Sequence, residues 1–303
     1  VSDQRAHAMN VVNELWASSV VAAAVASALT DSAARTPAEA LTIDDERGAL
    51  LRTVPELESA LASLWDDRSA VGSALVSVLS QGAAAAAGTT RAWSDLSDDA
   101  MRAQGEASAL VAKLIVSRIA PAYGFLRSDS EARVLDVGTG VGAIATALAE
   151  AVPSAVITGI DIDSHPLAIA ESRLGELGGV GGRVRLRHQD VLDLEEIGAY
   201  DLAWLPVPFI PDPIIDQALT KVITALRPGG LLVLGTISGA QDRRLRTANA
   251  WLAAVAGGST LTTDDVIDRV NQRGFLRLKL FETVPGGPIL VAAIRPSSDA
   301  DAA

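Results

Sequence analysis

The chain has 303 residues, 49% of them hydrophobic, and its 25 Lys and Arg against 37 Asp and Glu give a formal charge of −12 at pH 7. That length and apolar share suffice for one large α/β domain plus a smaller one, while the charge argues against a nucleic-acid partner, because neutralising phosphates takes clustered Lys and Arg. No cysteine is present, so disulfides and thiolate nucleophiles are excluded, and the three histidines, His7, His165 and His188, are scattered, so no protein-held metal is expected.

The first 125 or so residues show helical periodicity and no strand-like alternation. Asn10 to Thr30 reads as one long helix. Its apolar run from Leu15 to Leu29 is too short to span a bilayer and lacks a basic leader, which points to a buried helix in a cytoplasmic enzyme with no membrane partner. Thr36, Pro37 and Glu39 supply an N-cap, an N1 proline and an acidic first turn for the next helix. Helices over 55–66 and 67–81 follow, and the alanine run over 83–90 reads either as a linker or as a helix end turning at Gly88. Ser97, Asp98 and Asp99 open a helix that runs through Met101, Leu110 and Ile119 toward Pro121.

Trp93, Met101, Gln104 and Ser108 form a candidate substrate group here, with Gln104 and Ser108 one turn apart on the same helix face. A helix-packing stripe anchored by a tryptophan is the alternative. Trp16, Trp65, Trp204 and Trp251 are expected in the core, with no cation–π role. Residues 1–125 are thus expected to form a helical lid, and their surplus of apolar helix suggests a homodimer interface.

Beyond residue 125 the pattern becomes strand then helix, five times over, which gives a parallel sheet covered on both faces. Residues 126–303 form the second domain. Gly178 to Gly182 reads as a surface turn rather than a phosphate loop, because it opens a strand. Arg243, Arg244 and Arg246 read as a solvated helix face. A helix over 264–273 and strands over 274–282 and 287–294 close the chain, with turn chemistry at Pro285, Gly286, Gly287 and Pro288. The expected fold class is α/β: a Rossmann-like doubly wound, mostly parallel sheet with an antiparallel C-terminal strand pair, preceded by an all-α N-terminal domain.

The most informative stretch is VLDVGTGVG, residues 134–142, where an apolar strand enters a turn with Gly138, Gly140 and Gly142 alternating with single residues. Backbone without Cβ atoms admits a ligand closely. The spacing is not the dinucleotide fingerprint G-x-G-x-x-G, and Asp136 just before the turn disfavours a diphosphate. A carboxylate there suits a ligand with cationic or hydroxyl groups, as S-adenosylmethionine has. Asp161 ends the second strand 23 residues after Gly138, near the distance at which an acid meets ribose hydroxyls in doubly wound sheets. Asp163 points to the same side. A third strand ends at Asp190, placed to accept from an adenine amine.

With VLDVGTGVG, GIDID, HQD and LRPGG in that order and at those spacings, residues 107–295 resemble the class I S-adenosylmethionine-dependent methyltransferases, of the small-molecule type with an N-terminal helical domain. The resemblance implies S-adenosylmethionine as cofactor and S-adenosylhomocysteine as product. It places Gly138, Thr139, Gly140 and Gly142 on the methionine half, Asp161 and Ile162 at the ribose, and Asp190 with Val191 at the adenine. Asp136 would fix the glycine turn or the ammonium, and Pro206 would meet the cofactor at the carboxyl end of the fourth strand.

One departure bears on the acceptor. Members that methylate planar amide or amine nitrogens end the fourth strand in an Asn-Pro-Pro-Tyr type tetrad, and here Pro206, Val207, Pro208 and Phe209 stand in its place. Proline offers neither the asparagine acceptor nor a donor. Phe209 remains as an aromatic wall for substrate or cofactor. Base candidates are His188 and Asp216, with His165 and Asp212 behind them, and substrate contacts are expected from Trp93, Gln104 and Phe209. The reading is methyl transfer to a small-molecule metabolite on oxygen, carbon or nitrogen. Its rivals are an NAD(P)-dependent oxidoreductase, disfavoured because neither Tyr123 nor Tyr200 has a lysine four residues on, and a non-catalytic S-adenosylmethionine-binding regulator.

Overall fold

A computed structural model describes residues 2–42, 46–89, 93–126, 131–238, 242–283 and 287–297. Helix α1 (Ser2–Thr30) leads, followed by α2 (Pro37–Thr42), α3 (Glu46–Leu51), α4 (Leu57–Leu64), α5 (Arg68–Ala87), α6 (Asp98–Leu114) and α7 (Ala120–Tyr123). The capping signals act as expected. Thr36 Oγ1 accepts the Glu39 amide at 3.2 Å, and Ser97 Oγ accepts the Ala100 amide at 3.3 Å. The alanine run continues α5 and ends at Gly88, whose φ is 66°. Between α6 and α7 the chain forms a π-helical turn over Ile115–Ile119, with the Ala120 amide bonded to the Ile115 carbonyl five residues back. A wider turn there relieves the clash that Pro121 makes with the preceding carbonyls.

The second half runs β1 (Ala132–Val137), α8 (Ala143–Ala151), β2 (Ala155–Asp161), α9 (Ser164–Glu176), β3 (Val184–His188), β4 (Tyr200–Pro206), α10 (Ile215–Ala225), β5 (Leu226–Ser238), α11 (Arg243–Val255), α12 (Thr263–Gln272), β6 (Leu276–Glu282) and β7 (Pro288–Ile294). The seven strands form one sheet in the order β3-β2-β1-β4-β5-β7-β6. β1 to β5 are parallel, and β7 lies antiparallel between β5 and β6. The direction of winding reverses between β1 and β4, so a crevice opens beyond their carboxyl ends. The expected strand–helix alternation breaks once: β3 and β4 are joined by a single 3-10 turn at Val191–Asp193, the connection being too short for a packed helix. The Pro285–Gly286 turn lies outside the described residues.

Strands β1, β2 and β4 are buried on both faces, as their apolar runs require, while the edge strand β3 is buried only at Val184. The helical region does not stand apart from them. Ile115, Ile119 and Tyr123 share a core with Val134, Ile157 and Leu202, all under 8% exposed.

Two expectations fail in the helical region. Helix α1 is not buried: only its last turns, with Ala26, Ala28 and Leu29, pack into the core, while Met9, Val11, Val12, Leu15, Trp16 and Val20 stand 36–67% exposed. The reason is reach, since α5 and α3 back only the C-terminal part. Counted from His7 the apolar helix is 24 residues, so its length does not exclude a membrane span. The tryptophans also divide. Trp204 is core, but Trp16 and Trp251 are 67% and 53% exposed, and Trp65 carries the Arg68 guanidinium 4.8 Å above its ring, a cation–π contact.

Candidate functional site

The glycine turn leaves β1 at the crevice. Gly138, Gly140 and Gly142 have φ of 63°, 54° and 71°, which L side chains rarely adopt. A Cβ on Gly140 would meet nothing closer than 4.0 Å, so the turn presents bare backbone to open space. Thr139 holds it from beneath. Its amide bonds the Ile160 carbonyl at 3.0 Å, its hydroxyl donates to Asp136 Oδ2 at 2.7 Å, and it fills the space where a Cβ on Gly159 would lie 2.7 Å from Oγ1. The Thr139 side chain therefore points into the sheet, away from the crevice.

Asp136 is fully buried, and burial raises its carboxyl to about 7; the Thr139 hydroxyl opposes the rise, the Asp161 charge adds to it, and the Ala145 amide lowers it slightly. Its Oδ1 has no hydrogen-bond partner of good geometry. Of the two roles foreseen for Asp136, the geometry matches fixing the turn.

Asp161 bridges the strand end and the turn. Oδ2 accepts the Gly140 amide at 2.8 Å and Oδ1 the Asp163 amide at 3.0 Å. Burial raises its pKa, opposed by those two amides. Beside it Ile162 is 67% exposed, an apolar side chain kept in solvent at the crevice rim. Asp190 caps the 3-10 turn after β3 through the Leu192 amide at 2.9 Å, and Val191 is buried behind it. Asp161, Ile162, Asp190 and Val191 thus share one side of the glycine turn.

The other side is made by β4 and the helical region. Pro206 ends β4, and its ring lies 3.5 Å from where a Cβ on Gly138 would be. Three residues on, the Phe209 ring stacks on Trp93, centroids 4.3 Å apart and planes at 38°. Trp93 in turn packs on Leu96, Ala100, Met101 and Val141, the last within the glycine turn. Gly105 of α6 makes that approach possible: a Cβ there would come within 2.3 Å of Val141 Cγ2. The mouth loop after β4 is gripped from behind as well, by Gly258 against the Pro208 carbonyl and by the buried Ser259, whose hydroxyl donates to Asp212 Oδ1 at 2.5 Å.

The structure brings together the cofactor candidates and the Trp93–Phe209 pair, and it does not gather the base candidates. His188 Nε2 lies 2.9 Å from the Ile162 carbonyl on an exposed strand end. Asp216 is 57% exposed and paired with Arg273 at 2.8 Å and Arg269 at 3.4 Å, so two guanidinium groups hold its charge away from the crevice chemistry. Asp212 brackets Ser259, and His165 meets Asp98 at 2.9 Å, tying α9 to α6. Gln104 is not a free contact either. Its carbonyl accepts Ser77 Oγ at 2.7 Å and its amide reaches Ser108 at 3.3 Å, joining α5 to α6. Sequence reasoning missed Gly105, Gly258 and Ser259. A glycine inside an Ala-rich helix and the Gly257–Gly258 pair were the available signals.

A family model described as a methyltransferase domain matches residues 134–230. A release factor glutamine methyltransferase of Rhodopirellula baltica is 32% identical over 123 residues, covering 40% of this chain and 41% of that protein. A malonyl-(acyl-carrier protein) O-methyltransferase of Geobacter sulfurreducens is 28% identical, covering 58% of this chain and 67% of that protein. The chain spans 30–57% of the length of the first curated relatives it matches. Among solved structures, an O-methyltransferase family protein from Burkholderia thailandensis has the same fold, with a TM-score of 0.62 at 17% identity over 97% of this chain and 99% of that one. An S-adenosylmethionine-dependent methyltransferase, SibL, also shares the fold, with a TM-score of 0.62 at 17% identity over 96% of this chain and 99% of that one, and a bare glycine turn flanked by a strand-end carboxylate and an exposed isoleucine fits the charged, hydroxylated and planar parts of that cofactor. From Val134 to Gly230 the chain carries a methyltransferase domain, behind an N-terminal helical region.

Proposed function

We propose that this protein transfers the methyl group of S-adenosylmethionine to an oxygen atom of a small-molecule acceptor. The carrying observation is the convergence of the Gly138–Gly142 turn, Asp161 and the Trp93–Phe209 pair on one crevice beyond the carboxyl ends of β1, β2 and β4. Gly138, Gly140 and Gly142, steadied by Thr139 and Asp136, hold the methionine half; Asp161 and Ile162 take the ribose; Asp190 and Val191 take the adenine; and Pro206 closes the turn. The bound sulfonium supplies an activated methyl group. What the chain must add is position, worth a large part of the barrier in a two-reactant displacement.

Two features favour oxygen. O-methyltransferases are among the relatives, and the release factor glutamine methyltransferases, which also are, point to an amide chemistry whose asparagine is replaced here by Pro206. The −12 charge favours a small molecule over a nucleic acid. Residues 1–125 serve as lid and as the contact between two copies, with α1 as the joining element, and the enzyme works in the cytoplasm, where its cofactor is made. The test is direct: incubate the protein with S-adenosylmethionine and a panel of hydroxyl, carboxyl and amine compounds, and follow S-adenosylhomocysteine and methylated product by mass spectrometry. O-methylated product from a hydroxyl or carboxyl compound is expected; product from amines alone would overturn the oxygen assignment.

A further inference from the structure

Asp136 is a buried acid with no counter-charge among the described residues. It sits on β1 between Gly159 of β2 and Trp204 of β4, neither of which ionises. Thr139 donates to its Oδ2 at 2.7 Å, while Oδ1 has no hydrogen-bond partner. Besides burial, the groups that act on its ionisation are the Thr139 hydroxyl, the Asp161 carboxylate at the end of β2 and the Ala145 amide of α8, and none is a cation. A buried ion has to be paired, so a carboxyl in these surroundings keeps its proton unless a positive charge comes near. Asp161 sharpens that requirement, because its own charge opposes a second one beside it.

The Thr139 side chain links this carboxyl to the Gly138–Gly142 turn, whose backbone faces open space at Gly140. In the function we propose, that turn holds the methionine half of S-adenosylmethionine, whose sulfonium is positive, and after methyl transfer the same half of S-adenosylhomocysteine, whose thioether is neutral. We infer that Asp136 distinguishes the two: its proton leaves to solvent when the sulfonium form binds over the turn and returns when the thioether form replaces it, so that the preference for methyl donor over product rises with pH. The inference rests on the methyl-transfer reading and adds to it the residue that sets cofactor against product. No contact with the ligand is required, because the effect acts through space. A unit charge about 8 Å away, at an effective dielectric of about 20, shifts an ionisation equilibrium about thirtyfold. Asp161 is less suited to the task, since both its oxygens already accept amides, from Gly140 and Asp163, and such bonds favour the charged form.

The experiment measures the affinity of the full chain for S-adenosylmethionine and S-adenosylhomocysteine by calorimetric titration at about pH 5.5 and about pH 7, below the range where α-amino groups titrate. Between the two, the wild-type preference for S-adenosylmethionine should rise roughly fivefold to tenfold. Asp136→Asn, which has no proton to lose, should show one preference at both. Where that variant does not fold, wild type alone decides. At about pH 7, in paired buffers of different ionisation enthalpy, S-adenosylmethionine should release about half a proton more than S-adenosylhomocysteine, because a carboxyl raised to about 7 is half-ionised before either binds. A wild-type preference that does not move with pH, an equal movement in Asp136→Asn, or equal proton release by the two ligands would overturn the inference. Failure of wild type to bind either ligand would instead overturn the methyl-transfer reading beneath it.

Discussion

Asp136 and Asp161 sit on the neighbouring strands β1 and β2 at the same crevice and play different parts, because one is sealed in and the other is only part-buried. The Asp136 carboxyl, raised to about 7, holds its proton in the folded chain while the unfolded chain releases it near the ordinary value of 3.8. The folded state thus binds more protons across this window, and its stability falls as pH rises from about 4 to 7, by roughly 1.4 kcal/mol per pH unit. Above pH 7 the loss is complete. Asp136→Asn keeps the Thr139 hydroxyl bond and removes the titration. Between pH 4.5 and 8, urea unfolding should show the variant gaining about 3 kcal/mol on wild type; an offset independent of pH would contradict the assignment. The glycine spacing and both carboxylates were legible from sequence, since backbone freedom and charge are properties of single residues. The Thr139 peg was not, because the Ile160 carbonyl it bonds and the Gly159 it packs on lie on another strand.

At the scale of elements, the ends were easier to read than the surroundings. Ser97 and Thr36 announce their helices by local chemistry, and the structure uses both. Helix α3, six residues long, has too few turns to show a period, and the β3–β4 connection lacks the helix that alternation implied. Burial of α1 was misread for a related reason: composition gives a helix its apolar surface, and only neighbours decide whether that surface is covered. Its first twenty residues extend some 30 Å at 1.5 Å per residue with apolar side chains in solvent, although most helical stability in proteins comes from packing of an apolar face. As the joining element of two copies it would be covered. Light scattering should give a dimer mass for wild type and a monomer mass for the double variant Leu15→Lys, Trp16→Lys, with S-adenosylhomocysteine binding unchanged. A wild-type monomer at tens of micromolar would sink the dimer.

For the whole molecule, the parallel order of β1 to β5 and the antiparallel last pair followed from alternation and turn chemistry. The merging of helical region and sheet into one core did not, because Ile115, Ile119 and Tyr123 carry no sign in sequence of which face they will meet. That merger matters for function. It brings Gly105 onto Val141 and Trp93 onto Phe209, so that the helical region completes a crevice which the sheet begins. In the function we propose, the cofactor half of that crevice depends most on Asp161, which braces the glycine turn through Gly140 and would take the ribose. Calorimetric titration with S-adenosylhomocysteine, for wild type and Asp161→Ala, tests this most directly. Micromolar binding by wild type, weakened about a hundredfold or more in the variant through loss of charge-assisted hydrogen bonds, is the expected result. Equal affinity in both proteins, or binding of NAD in place of S-adenosylhomocysteine, would contradict it.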